Sequence, residues 1–382
     1  MDRRAMLRAT VLGAGVVALP FTGWSSAYSA AQAGPGPYGS LKAADSRGIR
    51  LPAGFTSEIV ARSGRRVPGT GYTWHDAPDG GAVFGDADGW SYVSNSEVPG
   101  GKGGASVISF DRKGRAVGAR RILSGTSSNC AGGGTPWKTW LSCEEIDRGK
   151  VFETYPMGGK AVARPAMGRF KHEAAAADPV RQAVYLTEDE VDGRFYRFVP
   201  EQWGDLSAGV LQVMRAGDGT SGEFTWAPVP DPDAGSTRTR HQVDGAKVFT
   251  GGEGCFYAND TVWFTTKGDG RVWEVDLLTD RYRLAYDDNL TDPAPLTGVD
   301  NLTGSTFGDL YVAEDNGNME ICVITPPGRV SPFLRVNGQS ESELTGVAFN
   351  PAGDRLYFSS QRGKAGLLTE GITYCVKGPF RV

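Results

Sequence analysis

One short pattern returns along the chain and limits how it can fold. An apolar or aromatic run closes on a small hydroxylic or alanine residue, and two or three polar residues follow. The copies are Trp90–Glu97, Lys138–Glu145, Ala183–Glu190, Thr261–Lys267, Asp309–Asn316 and Arg355–Gln361. Their aromatic anchors, Tyr92, Trp140, Tyr185, Trp263, Tyr311 and Tyr357, stand 48, 45, 78, 48 and 46 residues apart. Propeller blades repeat at ~40–50 residues, so the single long step carries an insertion at about 200–248. Each anchor run follows another short strand across a Gly/Asp turn, as at Phe256–Asp260, and most precede a third, as at Val107–Phe110. The pattern predicts an all-β fold, a six-bladed β-propeller occupying 50–382 behind a linker at 34–49. A sandwich does not hold such a period, and two separate three-bladed halves would leave sheet edges open.

The insertion carries Pro228, Pro230, Pro232 and the run Arg238-Thr239-Arg240-His241. It reads as an irregular excursion, either a lid over one face or a solvated loop.

Residues 1–33 have the features of a targeting segment. Arg3-Arg4 precede an apolar run from Val11 to Phe21, and Ala31-Gln32-Ala33 offers a small-x-small cleavage site. Twin arginines predict a Tat-type signal peptide and export of the folded protein to the periplasm, cell surface or medium. No later run approaches the ~20 apolar residues of a spanning helix, so no membrane association is expected after export. A net charge of −4 without a basic segment excludes a nucleic-acid surface. A monomer is expected. The five cysteines, 130, 143, 255, 322 and 375, are too few and too scattered for a disulfide framework, with one bridge open to Cys322 and Cys375.

In a propeller the inner strands begin at one rim of the channel, and the strands that follow them end there. Inner starts contain His75-Asp76, Asn129-Cys130, His172-Glu173, Glu253, Asp300-Asn301 and Glu343. Three and four residues beyond the anchors stand Cys143, Glu144, Glu188, Asp189, Glu314, Asp315 and Lys267. Carboxylates gathered so densely repel one another unless cations neutralise them. Oxygen ligands suit calcium, and a thiolate among them suits iron or another transition metal. The candidate metal ligands are Cys143, Glu144, Glu188, Asp189, Glu253, Asp300, Glu314 and Asp315.

With these residues in view the chain resembles the PhoX-type extracellular alkaline phosphatases. The likeness lies in Asn129-Cys130-Ala131-Gly132-Gly133, Thr135-Pro136-Trp137, Thr139–Glu145, Gly168–Glu173, Tyr185–Asp189, Gly252-Glu253-Gly254 and Glu314-Asp315. It implies a propeller that holds two ferric ions and calcium and hydrolyses phosphomonoesters, with a small phosphorylated substrate. Carried over by motif, Cys143, Glu144, Glu188, Glu253 and Asp315 would bind metal, and Cys143, Glu144, Glu188 and Glu253 would serve catalysis. Members of the family commonly place an arginine two residues before the glutamate matching Glu253, where Gly251 stands here. Lys267, Arg194 and His172 are the candidates for binding substrate. A calcium-stabilised ligand-binding propeller without activity, and a lactonase or phosphodiesterase, are the alternative expectations.

Overall fold

The computed structural model describes residues 31–290, 292–326 and 328–381. The targeting segment through residue 30 lies outside the described residues. Every regular element among them is a β-strand or a short 3-10 turn. Bulky apolar residues stand in unbroken runs along these strands, as Val184-Tyr185-Leu186 and Leu310-Tyr311-Val312 do in Ala183–Glu188 and Leu310–Glu314, a composition that suits strands buried on both faces.

Five sheets build a propeller-like fold. One contains Pro78–Gly85, Gly89–Ser96, Gly103–Asp111 and Ala116–Thr126 in chain order, and the next contains Asn129–Gly134, Trp140–Glu144, Val151–Thr154 and Val162–Ala163. A nine-stranded sheet starts at His172–Asp178 and ends at Gly252–Ala258. Its two halves join where Ser221–Pro228 pairs with Arg281–Asp287. A further sheet runs outward from Val299–Gly304. The last contains Leu344–Phe349, Arg355–Ser360 and Ile372–Lys377, and takes its outer strand, Thr56–Arg62, from the beginning of the chain.

The first strand of each unit lies beside the first strand of the next. Pro78–Gly85 neighbours Asn129–Gly134, followed by His172–Asp178, Gly252–Ala258, Val299–Gly304 and Leu344–Phe349, which returns to Pro78–Gly85. Ring closure removes the exposed edges that an open array would present. Aromatic rings fill the wedges between neighbouring units, including the two halves of the nine-stranded sheet. Phe195 stacks on Phe264 at 4.3 Å and Tyr92 on Tyr357 at 5.1 Å; such pairs add about 0.5–1.5 kcal/mol beyond the area they bury.

A repeated irregularity positions the functional side chains. Pro78 pairs with Ser96, Asn129 with Glu144, His172 with Glu188, Gly252 with Thr266 and Val299 with Glu314. After each of these pairs the inner strand advances three residues while its partner advances two. That is a β-bulge, which bends the strand and re-aims a side chain. In the last sheet the same shift falls one residue later, between Thr345 and Ala348.

The stretch expected as an irregular insertion is partly regular. Asp205–Ala216 and Ser221–Pro228 form a hairpin in the nine-stranded sheet. Leu206, Leu211, Val213 and Phe224 bury their side chains there, at an alternation the prolines farther on had obscured. Only residues 229–251 lack strands. This segment is fastened by buried Arg240, which reaches Glu188 at 3.0 Å and Asp192 at 2.9 Å. Residues 34–48 also pack on the fold, with the Tyr38 hydroxyl 2.6 Å from that of Tyr311. All five cysteines are free. The bridge left open between Cys322 and Cys375 is absent because the two thiols belong to different apolar cores.

Candidate metal centre

The bulged strand starts deliver Asp79, Cys130, Glu173, Glu253 and Asp300. The residues just past the second strands deliver Glu97, Glu145, Asp189, Lys267, Asp315 and Gln361. Glu343, bridged to Asp315 through the backbone, adds another acid. Their ligand atoms form four trios in which all lie within 4.8 Å of one another: Cys130–Glu145–Glu173, Glu173–Glu253–Asp300, Asp300–Asp315–Glu343 and Asp79–Glu97–Glu343. Shared members, Glu173, Asp300 and Glu343, join the trios into one chain of donors.

Three cations thread the acids. Lys171 Nζ stands 2.8 Å from both Glu145 and Asp189. Lys267 Nζ lies 2.8 Å from Glu253 and 3.3 Å from Asp315. Arg362 reaches Glu343 at 3.2 Å and Asp315 at 3.7 Å. Gln361 donates to Asp79 and, at 2.7 Å, to Glu97. Negative charge remains in excess, and the acids show it. Burial, reinforced by Glu253 and Glu145, holds the Glu173 carboxyl well above its ordinary range. Burial pushes Asp300 up to about 6 and Glu145 up to about 8.

Glu173 is the most telling member. It is 0% exposed, and neither carboxylate oxygen has a hydrogen-bond partner. An orphaned buried carboxylate costs several kcal/mol (order of magnitude) unless a cation completes it. The donors fit such an ion. Carboxylate oxygens suit calcium, and the Cys130 thiol beside Glu145 and Glu173 adds the softer donor that suits iron.

Of the residues expected from sequence, Asp189, Glu253, Asp300, Asp315 and Lys267 meet here. Cys143 does not. Its side chain is buried among Leu141, Val151, Met167 and Phe170, and burial alone raises its thiol pKa. Strand alternation sends Cys143 to the sheet face opposite Ser142, whose hydroxyl donates to Asn95 at 2.8 Å. Glu144, Glu188 and Glu314 are strand-terminal residues that hold loops. Glu144 accepts the Ser127 N–H at 3.0 Å, and Glu188 accepts the Tyr196 hydroxyl at 2.8 Å as well as pairing with Arg240. Glu314 accepts the N–H groups of Thr297 and Glu320, both at 2.9 Å, and forms with Glu320 and Cys322 a separate buried trio whose ligand atoms lie within 4.8 Å of one another. His172 is buried against Phe170, and burial lowers its pKa to about 4. Arg194 spends its guanidinium on the carbonyls of Asp192 and Gly193. Asp79, Glu97, Glu145, Lys171 and Arg362 were missed, although the repeat placed their neighbours at the rim.

The family model for alkaline phosphatase PhoX matches residues 104–161 and 151–277. Among solved structures, Pseudomonas fluorescens PhoX in complex with vanadate, a transition state analogue, superposes with a TM-score of 0.73 at 18% identity. The match covers 91% of this chain and 98% of that one. The family model's match spans residues 104–277, a little under half of the chain, and the likeness to the solved PhoX structure is one of fold. The PhoX-type fold thus extends across the described residues, well past the segment the family model matches. A Bacteroides thetaiotaomicron protein of unknown function is also similar, with a TM-score of 0.51, 11% identity and coverage of 85% of this chain and 76% of that chain. A Xanthomonas campestris gluconolactonase lies farther off, with a TM-score of 0.46, 14% identity and coverage of 90% and 99%. No curated protein matches the chain.

Proposed function

We propose that the chain is a secreted phosphomonoesterase of PhoX type, exported folded through the Tat pathway and dependent on iron and calcium at the acidic mouth of a six-bladed propeller. The six-bladed count treats the nine-stranded sheet as two blades, with Thr56–Arg62 completing the last. The orphaned Glu173 carboxylate among Cys130, Glu145, Glu253 and Asp300 carries the reading.

Cys130, Glu145 and Glu173 would hold iron, with Cys130 in the part that the motif comparison had assigned to Cys143. Glu173, Glu253, Asp300, Asp315 and Glu343, with Asp79 and Glu97, would supply the oxygen donors for calcium. When bound, such ions provide Lewis-acid stabilisation of charge growing on phosphoryl oxygens.

The chain's own cations orient the substrate. Lys267 donates its backbone N–H to the Gly251 carbonyl at 2.7 Å, so its side chain leaves the backbone beside the position where the family commonly carries arginine. Once metal occupies the acids, Lys267 and Arg362 give the phosphate two positive partners on the Asp315 side. Lys171 keeps Glu145 and Asp189 in place through paired 2.8 Å contacts.

Metal analysis of exported protein, paired with turnover of a chromogenic phosphomonoester at alkaline pH, tests this. Iron and calcium with turnover are expected. A fully loaded protein without turnover would support a binding propeller instead, and a protein that takes up neither metal would sink both readings.

A further inference from the structure

A second polar cleft, of about 380 Å³, opens beside the acids and takes no part in holding them. Its charged lining is Arg121, Lys102 and Asp76, with His75, Ser96 and Ser124 between them. Arg121 is half-buried, yet among the described residues no carboxylate lies within ion-pair distance of it. Its guanidinium meets the Lys102 carbonyl at 3.4 Å and the Tyr72 side chain, with Asp76 near enough to attract it. Arginines removed from water are ordinarily paired. In the other arginine-lined cleft, of about 200 Å³, three of the four arginines are so paired, while Arg148 donates to the Asp233 and Ala234 carbonyls. There Arg238 pairs with Asp147, Arg169 with Asp233 at 3.4 Å and Arg240 with Glu188 at 3.0 Å.

The glycine-rich stretch Gly101–Gly103 lines the Arg121 cleft. It presents Lys102 at the surface, and the absent side chain of Gly104 leaves room for Arg121, whose Nη2 would lie 2.7 Å from a Cβ there. His75 is no competitor for a ligand, because both ring nitrogens already face serine hydroxyls, Ser106 at 2.8 Å and Ser94 at 3.3 Å.

Two chain segments tie this cleft to the metal-binding acids. Asp76 precedes Asp79 by three residues, and Ser96 and Val98 flank Glu97. Three residues span at most about 10–11 Å, which is the reach of a small phosphomonoester. We propose that the cleft receives the organic part of the substrate, and that the preferred substrates carry a carboxylate on that part. The carboxylate pairs with Arg121 and Lys102, and a hydroxyl or ammonium group beside it donates to Asp76. The inference rests on the phosphatase reading for the position of the phosphate, and on a guanidinium that no carboxylate neutralises at ion-pair distance for the second charge.

The test compares 3-phosphoglycerate with glycerol 3-phosphate on the metal-loaded protein. The wild type should favour 3-phosphoglycerate by about tenfold or more in kcat/KM, mainly through KM. Arg121→Met should bring the ratio to about one while glycerol 3-phosphate turnover stays unchanged. Arg121→Lys, which keeps charge but loses the planar fork, should fall between. An unchanged ratio in Arg121→Met, or no preference in the wild type, overturns the proposal. If the wild type hydrolyses neither ester, the phosphatase reading fails by itself. The cleft is then judged by calorimetry with glycerate, where binding lost in Arg121→Met supports it and absent wild-type binding rejects it.

Discussion

Lys267 Nζ and Glu253 Oε1 stand 2.8 Å apart at the mouth of the channel, where a lysine occupies a position that four neighbouring strand pairs fill with Glu97, Glu145, Asp189 or Asp315. Lys267 is both a counter-ion for the acids and a competitor for any metal they bind. Replacing it with methionine should raise calcium affinity several-fold by calorimetry, while inhibition by vanadate weakens about tenfold. A simple structural role would weaken both, so parallel losses would refute the assignment.

The two cysteines of the Asn129–Glu145 stretch should separate cleanly. Cys130→Ser should remove iron from the purified protein, because its thiol lies with Glu145 and Glu173. Cys143→Ala should keep the iron and cost about 1 kcal/mol in denaturant unfolding, the scale of a small core truncation. Iron lost from the second variant and kept in the first would reverse the assignment.

Acid stability carries its own signature. Asp300 is raised to about 6 and Glu145 to about 8 by burial, whereas unfolded carboxyls titrate near ~4. The folded state therefore binds more protons than the unfolded state across this window. The contribution of these groups is fully present below about pH 4 and is lost as pH rises through 6 and 8. Metal-free protein should melt at progressively lower temperature from pH 5 to 8, and calcium should flatten the slope. A melting temperature that climbs across that range without metal would contradict the cluster.

Gly251 has φ +67°, and a Cβ on it would meet Gly268 N at 3.0 Å and Asp189 Oδ1 at 3.4 Å. Restoring an arginine here should strain the backbone by about 1–2 kcal/mol and direct the new cation toward Asp189 rather than outward. Gly251→Arg should unfold at lower denaturant concentration and show no gain in phosphomonoester turnover. A gain would mean the loop can re-form around the new side chain.

Arg240 joins the 229–251 segment to the nine-stranded sheet through buried Glu188. Arg240→Ala strands that carboxylate, at a cost of about 3–5 kcal/mol. Limited proteolysis should then cut within 229–251, which the wild type resists. Equal protection in both proteins would show that the segment is held by other contacts.

The period of the aromatic strands made the architecture legible, and the convergence of strand starts and ends made the acidic mouth legible. Register defeated the finer assignment. Tyr185, Trp263, Tyr311 and Tyr357 stand three residues before the paired strand ends Glu188, Thr266, Glu314 and Ser360. Tyr92 and Trp140 stand four before Ser96 and Glu144, because Val93 and Leu141 occupy the equivalent positions. Counting from Trp140 therefore selected Cys143 and Glu144 where the geometry uses Glu145. A one-residue slip exchanges the faces of a strand. The bulges that aim Glu173 and Cys130 inward left no compositional mark beyond scattered glycines. Lys171 and Arg362 fell outside the repeated pattern altogether.

The sheet that closes the ring takes Thr56–Arg62 from one end of the chain and Ile372–Lys377 from the other. Across the same seam Gln361 donates to Asp79 and Glu97. Losing either strand would therefore open the ring at the seam where Gln361 holds Asp79 and Glu97, leaving most of the acids with no enclosed centre in which to gather.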